Sequence, residues 1–386
     1  MNRSRSRPIS ILLVLMALAL GLAACSNDGS PASTEGPGIT SASAGDPGPV
    51  LREEWFWPAP PPASVGMPAA DTTGVAFTAG AHRVVLLDPS GAVRWQAERV
   101  GVRDVAPLLT PDLVVVAADD GVIAYERANG RMRWDRPLGE RANTPVFAGG
   151  AAAVTTWEGS LVSLDLADGR VRWRTGLGGD ALGPAAGSGP VVVATFDTGR
   201  AAGAVAVDAV SGAHRWSVPL PAGGVSAPAV TGGGTGAGGE AVVVVVAGDV
   251  AAHGLALDDG AERWRQDLEG AGSPEVPPLA LAGDTVLVPH RQGGLALLGT
   301  GDGAVRWIAG SDGASVRGGP AGPGPGGWFA LPLDDGRLLL AGPDRGPSVF
   351  EPPDGLTSGV ASGPGGVLLI ATAQGSANAI SAASGW

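Results

Sequence analysis

The sequence predicts an all-β fold: an eight-bladed β-propeller of four-stranded antiparallel blades, with the ring closed by the N-terminal strand. Three observations predict it. A Gly-x-x-x-Trp pattern occurs six times, its tryptophans spaced 39, 39, 43, 48 and 43 residues apart. Each period reads as four short apolar runs separated by Gly-bearing turns, as hairpins with positive φ require. The last period lacks its fourth strand, and a Trp-bearing strand at the start of the repeat region can supply it.

Composition decides between a folded and a disordered chain. Gly and Pro make up 64 and 33 of the 386 residues, which borders on low complexity, yet 44% of the chain is hydrophobic. Many short strands joined by tight turns reconcile the two. The formal net charge of −12 becomes about −15 once the first 24 residues, with Arg3, Arg5 and Arg7, are removed. No basic face for nucleic acid is visible, and attraction to an anionic membrane surface is excluded.

The first element, residues 1–24, is predicted to be a signal peptide: a basic stretch, an apolar run from Ile9 to Leu22 and a small-residue end. Leu22-Ala23-Ala24-Cys25 resembles a bacterial lipobox, in which the Cys becomes the acylated first residue. Cys25 is the only cysteine of the chain, so a disulfide within it is excluded and the residue is expected to carry a palmitate-type lipid anchor. Residues 25–50, rich in Ser, Gly, Pro and Ala, read as the lipidated Cys and a flexible tether. The propeller is then expected to fill residues 51–386.

Its repeats follow in order. The docking tryptophans are Trp95, Trp134, Trp173, Trp216, Trp264 and Trp307, each preceded by four positions by Gly91, Gly130, Gly169, Gly212, Gly260 or Gly303. A seventh copy ends in Phe350. Within one period, PVFA, AAVTT, SLVSLDL and RVRWRT spell out four strands. A Pro stands 11–13 residues after each Trp, at Pro107, Pro145, Pro184, Pro228, Pro277 and Pro320. Lacking an N–H, it suits the innermost strand, which is a sheet edge. A unit of about 40 residues, WD40-like in size, is a propeller blade. Three C-terminal strands within residues 356–386 lack a fourth, which REEWFWPAP can provide through Trp55 or Trp57. Closing the ring this way leaves no large edge exposed.

The turns before Trp173 and Trp216, with Asp165 and Asp208 eight residues upstream of them, resemble the tryptophan-docking motif of the pyrroloquinoline-quinone-like (BamB-like) propeller repeat family. Glu126 and Gly299 depart from it, and Asp258 reads as part of a shortened turn. The resemblance covers residues 51–386 and implies one of two functions. Quinoprotein dehydrogenases of the family carry adjacent cysteines, a carboxylate base and calcium; this chain has no Cys pair. The second class comprises lipid-anchored, non-enzymatic propellers that bind partners. It implies a protein-binding or scaffolding module in the cell envelope, extracytoplasmic, held to the cell membrane by Cys25, monomeric and without an expected cofactor. The alternative is a quinone or small-ligand binding protein with pyrroloquinoline-quinone-dependent dehydrogenase activity.

Candidate site residues are weighed against turn chemistry. His82, His214, His253 and His290 lack metal-ligand spacing, so no metal is expected. Asp-Asp-Gly at 119–121, 258–260 and 334–336 reads as hairpin chemistry rather than a calcium loop. The Gly-rich segment 231–240 has no Lys-Ser/Thr ending and is no phosphate cradle. No catalytic residue stands out. In propellers the second-to-third-strand turns and the inter-blade connections share one face. That face would gather Trp157, Glu158, Asp119, Asp120, His290, Arg291 and also His82, Gln292, Arg103, Arg141 and Arg317 into a candidate partner-binding rim.

Overall fold

The computed structural model describes residues 40–41, 51–58, 64–181, 183–231, 241–248, 251–268, 279–280, 284–290, 294–310, 314–316, 318–322, 328–342, 345–352, 357–364 and 367–382. The chain divides into 1–36, which lies wholly outside the described residues together with Cys25, and 37–386. Among the described residues, no helix is long and apolar enough to cross a membrane.

Eight antiparallel sheets follow one another along the chain. We number them blades 1 to 8, with strands lying within residues 69–98, 108–137, 146–176, 186–220, 229–267, 279–310, 321–350 and 357–382. Burial along each strand reports its place. The second and third strands are buried on both faces, as in Leu113–Ala117 and Val242–Ala247, because a blade lies against either side. The outer strands alternate: in Val93–Glu98, Val171–Gly176 and Glu262–Asp267 the third residue, the Trp, is buried while its neighbours face solvent. Inner strands are short, two residues at Leu108–Leu109 and three at Val146–Ala148, and follow directly on Pro107 and Pro145. Blade 7 has three ladder strands, and its innermost position is held by a single bridge between Ala321 and Ala330.

The buried apolar residues form eight clusters, one at each joint between neighbouring blades. Stability is therefore distributed around the ring. Five of the joints repeat one contact. The indole Nε1 of Trp95, Trp134, Trp173, Trp216 and Trp264 donates to the carbonyl of Arg127, Leu166, Ala209, Leu257 and Thr300 in the next blade, at 2.7–3.1 Å. Three residues beyond each acceptor stands the motif Gly of that next blade, in the left-handed region and so close that a Cβ would lie 2.5–2.7 Å from the ring. Glycine is demanded twice, by φ and by the indole. The motif thus joins two blades: its Gly receives the preceding Trp, and its own Trp goes to the following Gly.

The residue before each Trp is always Arg, at Arg94, Arg133, Arg172, Arg215, Arg263 and Arg306. The register skips it, because the ladder passes from Val171 to Trp173 and from His214 to Trp216 through a bulge. Released from the ladder, Arg172 and Arg215 reach back to Asp165 and Asp208 at 2.8 Å. Those carboxyls titrate below their usual range: backbone and Arg172 hydrogen bonds act on Asp165, and the Arg215 bond leads at Asp208. The Asp258 turn is not shortened. Ala256 stands at the Asp position there, with Gly260 N–H donating to its carbonyl at 2.9 Å, as Gly169 does to Asp165 at 2.8 Å. The shorter turn is in blade 1, where Asp88 lies one residue nearer its Gly91.

Leu51–Pro58 pairs antiparallel with Ser376–Ala382 and completes blade 8. Its bulge at Glu54 marks Trp55 as the docking residue, and Trp55 lies against Gly91 as the other tryptophans lie against theirs. Trp57, 6% exposed, packs edge-on to Phe77 of blade 1 with ring centroids 4.9 Å apart. Within the segment expected to be a flexible tether, Thr40–Ser41 run parallel to Ala309–Gly310 at the outer edge of blade 6, adding a fifth strand there.

An ion pair with a buried arginine spans the joint between blades 1 and 2. Arg127, 7% exposed, grips Asp71 bidentately with both contacts at 2.6 Å and donates to Thr73 Oγ1 at 2.7 Å and the Thr110 carbonyl at 2.8 Å. The Arg127 hydrogen bonds outweigh burial and hold the Asp71 carboxyl at about 2 against an ordinary 3.8. A folded-state value below the unfolded one contributes stability that is present above the unfolded value and is lost as pH falls toward the folded one. Asp71→Asn should therefore cost roughly 1–2 kcal/mol near pH 6, a figure reduced by the partial exposure of Asp71. Urea midpoints should show that gap narrowing between about pH 4 and pH 2; a gap independent of pH would sink the assignment.

Candidate partner-binding rim

Among the described residues, six of the eight blades tie the entering connection to the end of their own second strand. Single antiparallel bridges join Val65 to Ala79, Val102 to Ala118, Ala142 to Thr156, Asp180 to Asp197, Val225 to Ala247 and Val316 to Leu333. Connections and second-to-third-strand turns therefore lie together on one face of the ring.

On that face blade 3 presents Trp157. Its turn needs Gly159, which sits at φ +84° with a Cβ position only 2.1 Å from the Gly179 carbonyl. The backbone is fixed further by Trp157 N–H donating to the Arg141 carbonyl at 3.0 Å. The indole Nε1 donates to Asn143 Oδ1 at 2.8 Å. Asn143 is buried, and its amide nitrogen donates to Thr155 Oγ1 at 3.0 Å and to the Ala181 carbonyl at 2.9 Å across the joint with blade 4. The ring is thus anchored from below, yet 38% of the residue stays exposed.

Two guanidinium groups cover it. Arg103, from the connection into blade 2, places its Cζ 4.8 Å from the ring centroid, and Arg141, from the connection into blade 3, lies at 5.3 Å. Stacking on the negative face of an indole holds a cation without a carboxylate partner. Glu158 accepts from the Arg141 backbone N–H at 3.2 Å. Burial pulls the Arg103 pKa below its ordinary value, Asp119 opposes that, the like charge of Arg141 adds to it, and Glu158 and Asp104 oppose it.

The rim residues divide as follows. Arg103, Arg141, Trp157 and Glu158 come together, with Asp119 within electrostatic reach. Asp120 instead lies 3.6 Å from Arg99. His82 belongs to blade 1, where its Nδ1 lies 2.5 Å from the Gly80 carbonyl. His290 ends a strand of blade 6, with its side chain outside the described residues, as are Arg291, Gln292 and Arg317. Asn143, the anchor of the indole, is absent from the sequence-derived set, since one Asn two residues ahead of Pro145 looks like ordinary turn chemistry.

Among the described residues no group of three His, Cys, Asp or Glu is placed to hold a metal ion. A cleft of about 370 Å³ lies at the joint of blades 4 and 5, lined by Pro219, Pro221, His253, Glu262 and Arg265 among others, and shares no residue with the rim.

The family model described as outer membrane protein assembly factor BamB matches residues 51–181, 122–202 and 173–319, most of the ring. This chain belongs to that family. Among solved structures, BamB from Moraxella catarrhalis is similar with a TM-score of 0.66 and 17% identity, covering 86% of this chain and 98% of that one. The computationally designed protein Ika8 gives a TM-score of 0.62 at 13% identity, covering 82% and 96%. The C-terminal WD40 domain of Sif2 gives 0.67 at 9%, covering 86% and 98%. At such identities the likeness is one of fold. No curated protein sequence matches the chain. The BamB family therefore supplies the architecture of a protein-interaction scaffold, and the chemistry of this member has to be read from its own rim.

Proposed function

We propose that this BamB-family propeller is a non-enzymatic, extracytoplasmic scaffold that binds a protein partner of the cell envelope through the Trp157 rim. A lipid on Cys25 would hold it at the membrane. The observation that carries the reading is the preorganised indole: exposed, hydrogen-bonded to a buried amide and flanked by two arginines. Aromatic and Arg anchors set in a rigid frame are the residues on which interface energy concentrates. The leader and lone Cys25, the acidic body and the absence of a Cys pair from the sequence support the rest.

The test compares wild type with Trp157→Ala in membranes treated with a mild cross-linker. The variant should lose about 1–2 kcal/mol of stability yet stay folded. Capture of the partner that wild type cross-links most should fall about thirtyfold, the loss expected for an interface hot spot. Equal capture by both proteins would refute the rim, and calcium-dependent turnover with added pyrroloquinoline quinone would refute the non-enzymatic assignment.

A further inference from the structure

We propose that Arg103 and Arg141, held on the Trp157 indole, form a receptor for a carboxylate carried by an acidic segment of the protein partner. The proposal rests on the rim reading above and names the chemistry the rim selects. Its basis is an imbalance of partners. Most described arginines of the ring are spoken for: Arg127 by Asp71, Arg172 by Asp165, Arg215 by Asp208 and Arg174 by Glu140. Among the described residues neither the Arg103 nor the Arg141 guanidinium has a hydrogen bond or a carboxylate within 4.0 Å; each has only the indole. Arg103 Nε is moreover buried without a hydrogen-bond partner.

A buried donor left unmade is costly, and two like charges gathered around one ring repel each other. An arriving anion relieves both penalties. A guanidinium presents its N–H groups as a planar fork matched to a carboxylate, and stacking on an aromatic face leaves that fork free at its edge. Two forks beside one indole therefore favour a planar anion that can bridge them. The surrounding carboxylates sharpen the selection. Asp119 and Glu158 lie close enough to act on Arg103, and in a body of net charge −12 a stray anion is repelled unless it meets both forks. Glu158 is thus a competitor of the incoming group, which gives the site two opposite mutational signs.

The probe is an amidated tetraglutamate peptide, titrated into the intact protein at low salt. The Trp157 indole N–H resonance, identified by its loss in Trp157→Phe, is followed by NMR, with tetraglutamine and inorganic phosphate as parallel arms. Tetraglutamate should shift the resonance saturably and tetraglutamine should not. Arg103→Gln and Arg141→Gln should each weaken the response about tenfold, and Glu158→Gln should strengthen it about threefold. A response to phosphate alone, or one unchanged in both Arg variants, would overturn the carboxylate assignment. The same variants in the cross-linking assay separate the two readings. Capture lost in Trp157→Ala but kept in the Arg103→Gln, Arg141→Gln double variant leaves the rim standing and removes the carboxylate receptor; capture kept in all of them removes both.

Discussion

Deletion of residues 51–57 is expected to abolish the folded ring, whereas deletion of residues 26–39 should leave its stability unchanged. The short strand contributes the whole outer ladder of blade 8, from Leu51 opposite Ala382 to Pro58 opposite Ser376. It also carries Trp57, buried against Phe77, and Trp55, seated on Gly91. Losing a buried Trp such as Trp57 costs about 3–5 kcal/mol, and here it goes together with the partly buried Trp55 and a row of hydrogen bonds. The total rivals the 5–15 kcal/mol margin of a typical domain. The third strand, Ser376–Ala382, would become a bare edge open to pairing with another chain. Thermal unfolding and size-exclusion profiles of the two truncations decide the matter: the first should elute as aggregate or as unfolded chain. A cooperative transition at the wild-type temperature in the first truncation would refute closure by this strand.

The second large effect concerns one docking contact read from both sides. Trp134→Ala empties the indole site at the joint of blades 2 and 3 and should cost about 3–5 kcal/mol. Gly169→Ala should cost about 3 kcal/mol. About 1–2 kcal/mol comes from φ +69°, and the rest from a Cβ placed 2.7 Å from the Trp134 ring. Combining the two should cost less than the sum by about 1–2 kcal/mol, because the backbone strain persists while the clash disappears with the indole. Urea unfolding of the four proteins measures this coupling. Strict additivity would mean that the Gly is required for its φ alone and that the ring contact is incidental.

Much of this architecture is legible in the sequence for a local reason. Gly169, Arg172 and Trp173 sit in one hairpin, so their spacing is fixed by a single turn and a single bulge even though the residues that Gly169 and Trp173 serve belong to two other blades. The repeated Arg before each Trp carried the mark of that bulge in plain letters. Trp55 and Trp57 are not separable by the same means. Both point to one face of a strand, and only the register slip at Glu54 distinguishes the docking ring from the one beside Phe77. Sequence exposes the candidate site least. Arg103, Arg141 and Trp157 come from three separate segments with no fixed spacing, and Asn143 acts through a buried amide that resembles any turn residue. The pairing of Thr40–Ser41 with blade 6 has no apolar pattern to announce it, since it rests on backbone hydrogen bonds.

The closing strand also gives the ring a mechanical direction. Leu51 and Ala382 stand opposite each other at the same end of their ladder. Tension that draws these two points apart loads one pair at a time and peels the strand, where a pull along the strand axis would load the whole row together. Heat has to loosen eight joints to open the ring; a small force at its seam has to break only one bond after another. Thr40–Ser41 lies upstream of that seam on a different blade. A pull arriving through the N-terminal segment is therefore borne first by the edge of blade 6, and reaches the seam only after those two residues have let go.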